Sequence, residues 1–503
     1  MSDENQNNFS EPEMNSLMQQ RMIKVEELRQ AGIDPFGHAF ADTQMISVVR
    51  ENATPTAEGE VGENVTVAGR LMAKRGMGKS IFADIKDSSG RIQLFVGKSE
   101  IGDDEFAMFK KLDIGDIIGI SGPTFITRMG ELTIRVKQCT LLSKSLRPLP
   151  EKFHGLQDVE QRYRQRYLDL ITNEESFRVL QLRSRILAEI RNFMNERGFM
   201  EVETPMLQPL AGGAAANPFK TYYEALSSEM YMRIAPELYL KRLLVGGFEK
   251  VYELNRNFRN EGMDRRHNPE FTMMEVYQAY GDCRTMMELI ESLVTTVAIK
   301  TVGTLKIDHG NGKIIDLTLP WRRATYNELC EEKGGKDWFS ITPAERIERG
   351  RKMGLDIPEG MSDLDVTNEL YEKMVEPTLI QPTFVCRLPV ELLPLAKGCP
   401  DDPAYVDVFE LGINGVEVAP AYSELNDPIL QRKRFMEQFE KSKQPGDKVE
   451  DKVDEEFLTA LEYGMPPAGG MGIGIDRLVM ILTGAETIRD VLLFPQMRLK
   501  RQQ

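Results

Sequence analysis

Apolar and polar positions along the chain fall into three textures. Residues 22–32, MIKVEELRQAG, place Met22, Val25 and Leu28 at i, i+3 and i+6 ahead of Gly32 and Pro35, which predicts one amphipathic helix. The preceding residues, 1–20, are rich in Asn, Gln and Glu and read as a mobile tail. From 61 to 142 the runs VTVAGRLMA, SIFADIKD, RIQLFVG, DIIGISGPTFIT and ELTIRVKQCTLL are β-branched and separated by glycine turns. Five short strands in about 80 residues predict a small closed barrel of the OB type, so 21–145 reads as a helix plus barrel. Pro148 and Pro150 mark a linker, 146–175. Residues 176–197 then carry Phe177, Leu180, Ile186, Ile190 and Phe193 on one helical stripe that closes at Gly198. Strands and helices alternate from there to residue 503, with a small helical insertion near 338–377, which makes 176–503 an α+β domain of catalytic size.

Composition narrows the class. The 503 residues are 41% hydrophobic and 28% charged, ordinary values for a globular chain, and no run approaches the roughly 20 apolar residues of a membrane span. The N-terminus has neither a basic nor an apolar leader segment, so the expectation is a cytoplasmic protein without membrane attachment. Cys139, Cys283, Cys330, Cys386 and Cys399 are odd in number and widely spaced, which argues for reduced thiols and against a structural zinc site. The net charge of −15 repels nucleic acid at long range, so any polyanion has to be met by a local basic patch.

Three segments combine residue types that suggest chemistry. In KVYELNRNFRNEGMDRRHNPEFTMMEVYQAY (250–280), two strand-like runs flank a polar loop. Strand alternation puts Asn257, Arg259 and Glu261 on one face, and Phe271, Met273, Glu275 and Tyr277 on another, with Thr272, Met274 and Val276 directed to a core. Phe271 suits stacking on a base and Glu275 suits accepting from a cation; a solvated hairpin with surface ion pairs is the other reading. In VFELGINGVEVAPAYSELNDP (408–428), Asn414-Gly415 signals a two-residue hairpin turn. Pairing 412 with 417 and 410 with 419 then makes Glu410 and Glu417 diagonal neighbours, which suits a Mg²⁺ held with phosphate oxygens; solvated surface acids are the alternative. In AGGMGIGIDRLVMIL (468–482), a glycine-rich strand runs into a helix whose first turn carries Arg477, a phosphate-binding arrangement or a packing device. No P-loop is present, and the surroundings exclude a dinucleotide-binding βαβ unit.

Together these motifs resemble the three signatures of class II aminoacyl-tRNA synthetases. The helix and strand ending at Pro205 match the first, FRNEG with RHNPEFTMMEVY the second, and GMGIGIDRL the third. GGAAANPF (212–219), RIAPELYLKRL (233–243) and SELNDP (423–428) are similar to elements of the bacterial-type lysyl subclass, and the resemblance spans residues 20–497. It implies an antiparallel catalytic sheet flanked by helices, a homodimer, and ATP-dependent attachment of L-lysine to tRNA(Lys). It implies that Arg259 bridges the α-phosphate and the amino-acid carboxylate, that Arg477 holds the γ-phosphate, and that Glu261, His267, Asn268 and Phe271 seat ATP. Glu410 and Glu417 would bind Mg²⁺; Gly213 and Glu237 would meet the α-amino group; Glu275, Tyr277 and Glu424 would surround the ε-ammonium. In the barrel, Arg75, Phe82, Gln93 and Glu131 stand at positions that read a U-rich anticodon; a core role for Phe82 is the alternative.

The chain departs from the family pattern at the amino-acid end. Val416 stands for an arginine, Pro420 for an asparagine that helps bind the lysine carboxylate, and Asn217 for an arginine. Proline offers neither an amide side chain nor an N–H. Two further readings therefore accompany the first: a paralogue with another amino acid or a protein lysine as acceptor, and a non-catalytic tRNA-binding regulator. The barrel favours tRNA, and the intact Arg259, Glu410, Glu417 and Arg477 favour catalysis.

Overall fold

The computed structural model describes residues 11–55, 57–150, 156, 158–214, 216–393, 396–442 and 453–498. It divides into two compact units, Met1–Thr172 and Asn173–Gln503.

The first unit opens with a helix over Glu11–Gln30, so residues 11–20, expected in a mobile tail, belong to it; residues 1–10 lie outside the described residues. Its buried side chains are Arg21, Val25 and Leu28, whereas Met22 is 54% exposed. The i, i+4, i+7 spacing is closer to the helical period than i, i+3, i+6, and the Arg21 guanidinium is satisfied by the Ser145 carbonyl at 2.9 Å. In the barrel, Val61–Met77 pairs with both Ser80–Lys86 and Ile117–Ile126, which closes the sheet. Ile81, Ala83 and Ile85 point inward and alternate with Phe82 and Asp84 on the outside. The segment expected as one fifth strand splits into Leu132–Arg135 and Gln138–Ser143. It changes partner at Val136 and Lys137, whose N–H groups turn to Phe95 and Ser121. A helix at Asp103–Lys111, unmarked in the apolar pattern, buries Phe106 and Phe109.

The second unit is built on one eight-stranded sheet. Its order is Arg322–Thr325, Thr383–Cys386, Val408–Ile413, Val416–Ser423, Ala468–Gly474, Glu270–Ala279, Lys250–Phe258 and Met200–Glu201. All pairings are antiparallel except those of the two edge strands. One face packs Met274, Val276, Ala419, Ala421, Met471 and Ile473 against the helices Glu174–Glu196, Cys283–Thr301 and Ile475–Thr483. Period-2 alternation therefore directs Phe271, Met273, Glu275 and Tyr277 to the opposite face. The helix Cys283–Thr301 starts at a capping box between Asp282 and Thr285. Asp282→Ala should cost about 1 kcal/mol, read as a lower urea midpoint for this unit with an unchanged slope.

The insertion shares a core with the sheet strands beside it, including Val385 and Val408, and that core takes in residues before 338. Tyr326, Leu329 and Cys330 of the helix Tyr326–Gly334 pack with Trp338, Val366 and Leu370. Gly334 lets the Trp338 ring lie directly on the backbone, which draws this helix into the insertion. All five cysteines are free thiols. Among the described residues no helix is long and apolar enough to cross a membrane.

Candidate active site

A cavity of about 930 Å³ opens on the opposite face of the sheet, where the helices Glu237–Val245 and Pro428–Ser442 complete its wall. The strand Lys250–Phe258 ends one residue before Arg259, so Arg259 and Glu261 sit in the loop after it rather than on a strand face, and both line the cavity. Arg259 lies over the Phe271 ring, 5.1 Å from its centroid, and its Nε is buried without a hydrogen-bond partner among the described residues. The guanidinium is half-buried in the cavity wall, held against the aromatic ring. On the facing wall, Arg477 donates to the Glu417 carbonyl at 2.6 Å and to His267 Nε2 at 3.1 Å. That contact makes Nε2 the acceptor, so Nδ1 carries the proton and donates to Asp264 at 2.8 Å. Asn268 donates to the Glu270 carbonyl at 2.5 Å and closes the loop.

Arg477 is held from behind by a buried lock. Its neighbour Asp476 pairs with Arg183 at 2.6 Å and accepts from the Thr272 backbone N–H at 2.8 Å, while Arg183 donates to the Thr272 hydroxyl at 3.0 Å. This ties the helices Glu174–Glu196 and Ile475–Thr483 to the strand that carries Phe271 and Glu275.

The carboxylate pair differs in register from the expectation. Gly412 faces Glu417 as expected, but Glu410 faces Pro420 rather than Ala419, because a bulge between Leu411 and Gly412 leaves Val418 unopposed. Glu410 and Glu417 still converge. Glu417 lines the large cavity, and both acids line an adjoining cavity of about 390 Å³ with Tyr371 and Glu376. Burial, then the Glu417 and Glu376 charges, push the Glu410 carboxyl up to about 8, against a hydrogen bond from the Tyr371 hydroxyl. Burial also raises Glu417, opposed by Arg477 and Arg259. Pro420 is tolerated inside this sheet because pairing with Ala468–Gly474 involves only Ala421, Tyr422 and Ser423 of its strand. Val416 packs at the turn against the main core, and Asn217 is exposed, its carbonyl receiving the Asn260 N–H at 2.7 Å.

At the other end of the cavity stand Gly213, Glu237, Glu275 and Tyr277. Gly213 has φ of +83°, and a side chain there would crowd Glu237 and Ala235. Tyr277 donates to Glu275 at 3.1 Å. Among the described residues Glu275 has no cation within ion-pair distance, and burial followed by the Glu237 charge pushes it up to about 8. Glu424 is 2% exposed; one of its oxygens is taken by Lys241, and the other lies beside the ring of Tyr277, which lines the cavity.

These residues sit in a chain with close relatives. Residues 158–498 match the model of the tRNA synthetases class II (D, K and N), and residues 65–142 match the OB-fold nucleic acid binding domain. The chain is 52% identical over 487 residues to a Lysine--tRNA ligase of Carboxydothermus hydrogenoformans, covering 97% of this chain and 99% of the relative. It is 52% identical over 493 residues to one of Syntrophomonas wolfei and 51% over 494 residues to one of Staphylococcus epidermidis, with the same coverage. The chain belongs to the class II tRNA synthetases.

As a class II synthetase it carries its OB-fold in the first unit. There Phe82 is outside the barrel core and stacks with Phe95 at 5.2 Å, and Phe95 meets Phe125 at 6.1 Å. Arg75 pairs in register with Phe82 and is exposed; Gln93 accepts from Thr133 at 3.0 Å; Glu131 meets Arg50 at 3.3 Å. Phe95 and Phe125 were not singled out in the sequence, although Phe95 alternates with the inward Leu94 and Val96 in the way Phe82 alternates with Ile81 and Ala83. Lys241, Arg183 and Asp476 also escaped notice. Their partners are remote in sequence, apart from the i, i+4 contact between Glu237 and Lys241 that a helix provides.

Proposed function

We propose that this synthetase activates L-lysine with ATP and transfers it to the 3′ end of tRNA(Lys). The observation that carries this reading is the charge layout of one cavity. The Arg259 and Arg477 guanidiniums face its triphosphate end, and the carboxylates of Glu237 and Glu275 face its amine end. Adenine stacks on Phe271 beneath Arg259, with Glu261, His267 and Asn268 around the nucleotide. Arg259 reaches both the α-phosphate and the lysine carboxylate, and Arg477 holds the γ-phosphate. The lysine carboxylate attacks the α-phosphorus in line and pyrophosphate leaves; the terminal ribose hydroxyl of tRNA then attacks the carbonyl of the lysyl-adenylate, forming the ester as AMP leaves. Catalysis is positioning plus charge neutralisation.

Glu410 and Glu417 suit Mg²⁺: two half-buried, mutually repelling carboxylates on a cavity wall leave the rest of the coordination sphere to phosphate oxygens and water, which is how this ion is usually bound. When bound, the ion supplies charge neutralisation on the phosphates. Gly213 and Glu237 receive the α-amino group, and Glu275, Tyr277 and the free oxygen of Glu424 receive the ε-ammonium. With Pro420 in the wall, Arg259 alone holds the substrate carboxylate. Exposed Met200, Met206 and Leu207, after the helix Glu174–Glu196, suit burial by a second copy in a homodimer. The reaction belongs in the cytoplasm.

Amino-acid-dependent ATP–pyrophosphate exchange across all amino acids, then charging of tRNA, tests the assignment. Exchange with lysine alone is expected. Exchange with another amino acid points to the paralogue, and none with any amino acid points to the regulator. In the barrel, Arg75, Phe82, Gln93 and Glu131 present an aromatic and polar surface for unpaired anticodon bases. Phe82→Ala should raise the KM for tRNA roughly 10- to 100-fold, the effect of losing one stacked base, and leave lysine-dependent exchange unchanged. An unchanged tRNA KM removes Phe82 from the anticodon site.

A further inference from the structure

Three acids and one lysine meet at the amine end of the cavity. Lys241, on the helix Glu237–Val245, is 1% exposed, and its ammonium lies 2.7 Å from Glu237 Oε1 and 2.5 Å from Glu424 Oε2. Glu237 is one turn away on the same helix, and Glu424 follows the strand Val416–Ser423. One protein ammonium thus joins the two elements that form this end of the site. Glu237 still lines the cavity. The second oxygen of Glu424, Oε1, is buried without a hydrogen-bond partner among the described residues. It lies beside the Tyr277 ring above Gly470, where a side chain on that glycine would collide with both. Burial would depress the Lys241 ammonium, but Glu237 and Glu424 together hold it above the ordinary lysine range, so it stays charged. The other groups around this cluster are Glu275, Tyr277, Tyr422 and, nearer the nucleotide end, Arg259.

We propose that Lys241 is a positioning residue that sets side-chain length specificity, by clamping at one spacing the two acids that receive the substrate's two amino groups. The inference rests on the lysine reading given above. Both oxygens in its grip bind the same nitrogen, so their separation cannot exceed the two contacts laid end to end. The oxygens left over, one on each acid, are then fixed relative to each other. Charge counting agrees. Once bound lysine has displaced the Glu275 proton, three carboxylates against one ammonium leave two negative charges, matching the α- and ε-ammonium groups of lysine. A substrate with a single amine leaves a buried carboxylate without a partner, a strongly unfavourable arrangement. A diamine one methylene shorter fills both charges but cannot span the clamped spacing.

The experiment compares lysine and ornithine in ATP–pyrophosphate exchange by the full-length enzyme and its Lys241→Met variant. In the wild type, lysine-dependent exchange establishes the underlying reading; its absence would overturn that reading before the variant is considered. In Lys241→Met, the lysine-over-ornithine ratio of kcat/KM should fall at least tenfold, because no shared ammonium holds the two acids at one spacing. A merely structural lysine would lower both substrates in proportion, and an unchanged ratio overturns the proposal. Should Lys241→Met fail to fold, Lys241→Arg is read in the same way: it keeps the charge but widens the spacing between the acids. A shifted ratio supports the clamp, and the wild-type ratio overturns it. Calorimetry of lysine binding in two buffers of different ionisation enthalpy gives a second readout. In Lys241→Met one of the two acids takes up a proton that lysine must displace, so about one additional proton is released. No change in proton release overturns the proposal.

Discussion

Arg259→Ala should lower lysine-dependent ATP–pyrophosphate exchange by at least roughly 10²- to 10³-fold, the loss that follows removal of one oriented donor to developing charge. The expectation comes from its placement. Arg259 lines the cavity and sits over the Phe271 ring, which holds its guanidinium in one orientation before substrate arrives. Lysine at this position should recover little, because a point charge on a flexible stem cannot replace a planar fork that reaches two acceptors and stacks on an aromatic ring. A defect in exchange, with retained tRNA binding through the barrel, separates this role from general unfolding. Near-normal adenylate formation by Arg259→Ala would refute it.

Glu275→Gln should raise the KM for lysine by roughly 10²- to 10³-fold, since it leaves a buried ammonium without its carboxylate, and breaking such a pair costs about 3–5 kcal/mol. It should also flatten the pH dependence of lysine binding. Burial and the Glu237 charge push Glu275 up to about 8, so in the free enzyme it keeps its proton at neutral pH. An ammonium favours the ionised form. Lysine must therefore displace that proton, and affinity should rise as pH increases toward 8 and level off above it. The same shift acts on stability in the opposite sense. Between the ordinary glutamate range and pH 8 the folded protein binds a proton that the unfolded chain has released, so this group makes the free enzyme less stable as pH rises through that window. Dissociation constants measured by calorimetry at pH 6, 7 and 8, for the wild type and Glu275→Gln, check both statements. A flat wild-type profile removes Glu275 from the ammonium site.

Much of this layout was legible in the primary structure because local rules carry it. The turn at Asn414-Gly415 adopts positive φ at both residues, as a two-residue hairpin demands, and it set Gly412 opposite Glu417. The alternation of Phe271, Met273, Glu275 and Tyr277 with Thr272, Met274 and Val276 separated cavity from core in the same way. The OB-fold was readable from strand length and glycine spacing, although its last strand divides where the backbone changes partners.

The rest was not legible because a local rule met a distant constraint. The bulge at Val418 depends on how two strands accommodate the neighbouring sheet, and no turn signal records it, so Glu410 came to face Pro420. The insertion began earlier than expected because Trp338 rests on Gly334, a contact visible only after the two are folded together. Glu424 illustrates the same limit. Its motif placed it near an ammonium, but Lys241 already holds one of its oxygens, and that lysine reads in the chain as an ordinary helix-surface residue.

Periodicity and turn chemistry thus settled which elements form and which face of each strand carries polar side chains, since those properties depend on neighbours within a few residues. The partners of the buried charges, Lys241 between Glu237 and Glu424 and Arg183 on Asp476, and the protonation of Glu275 followed from packing. Exclusion of water and the approach of opposite charges from remote segments exist only once the chain has closed around them.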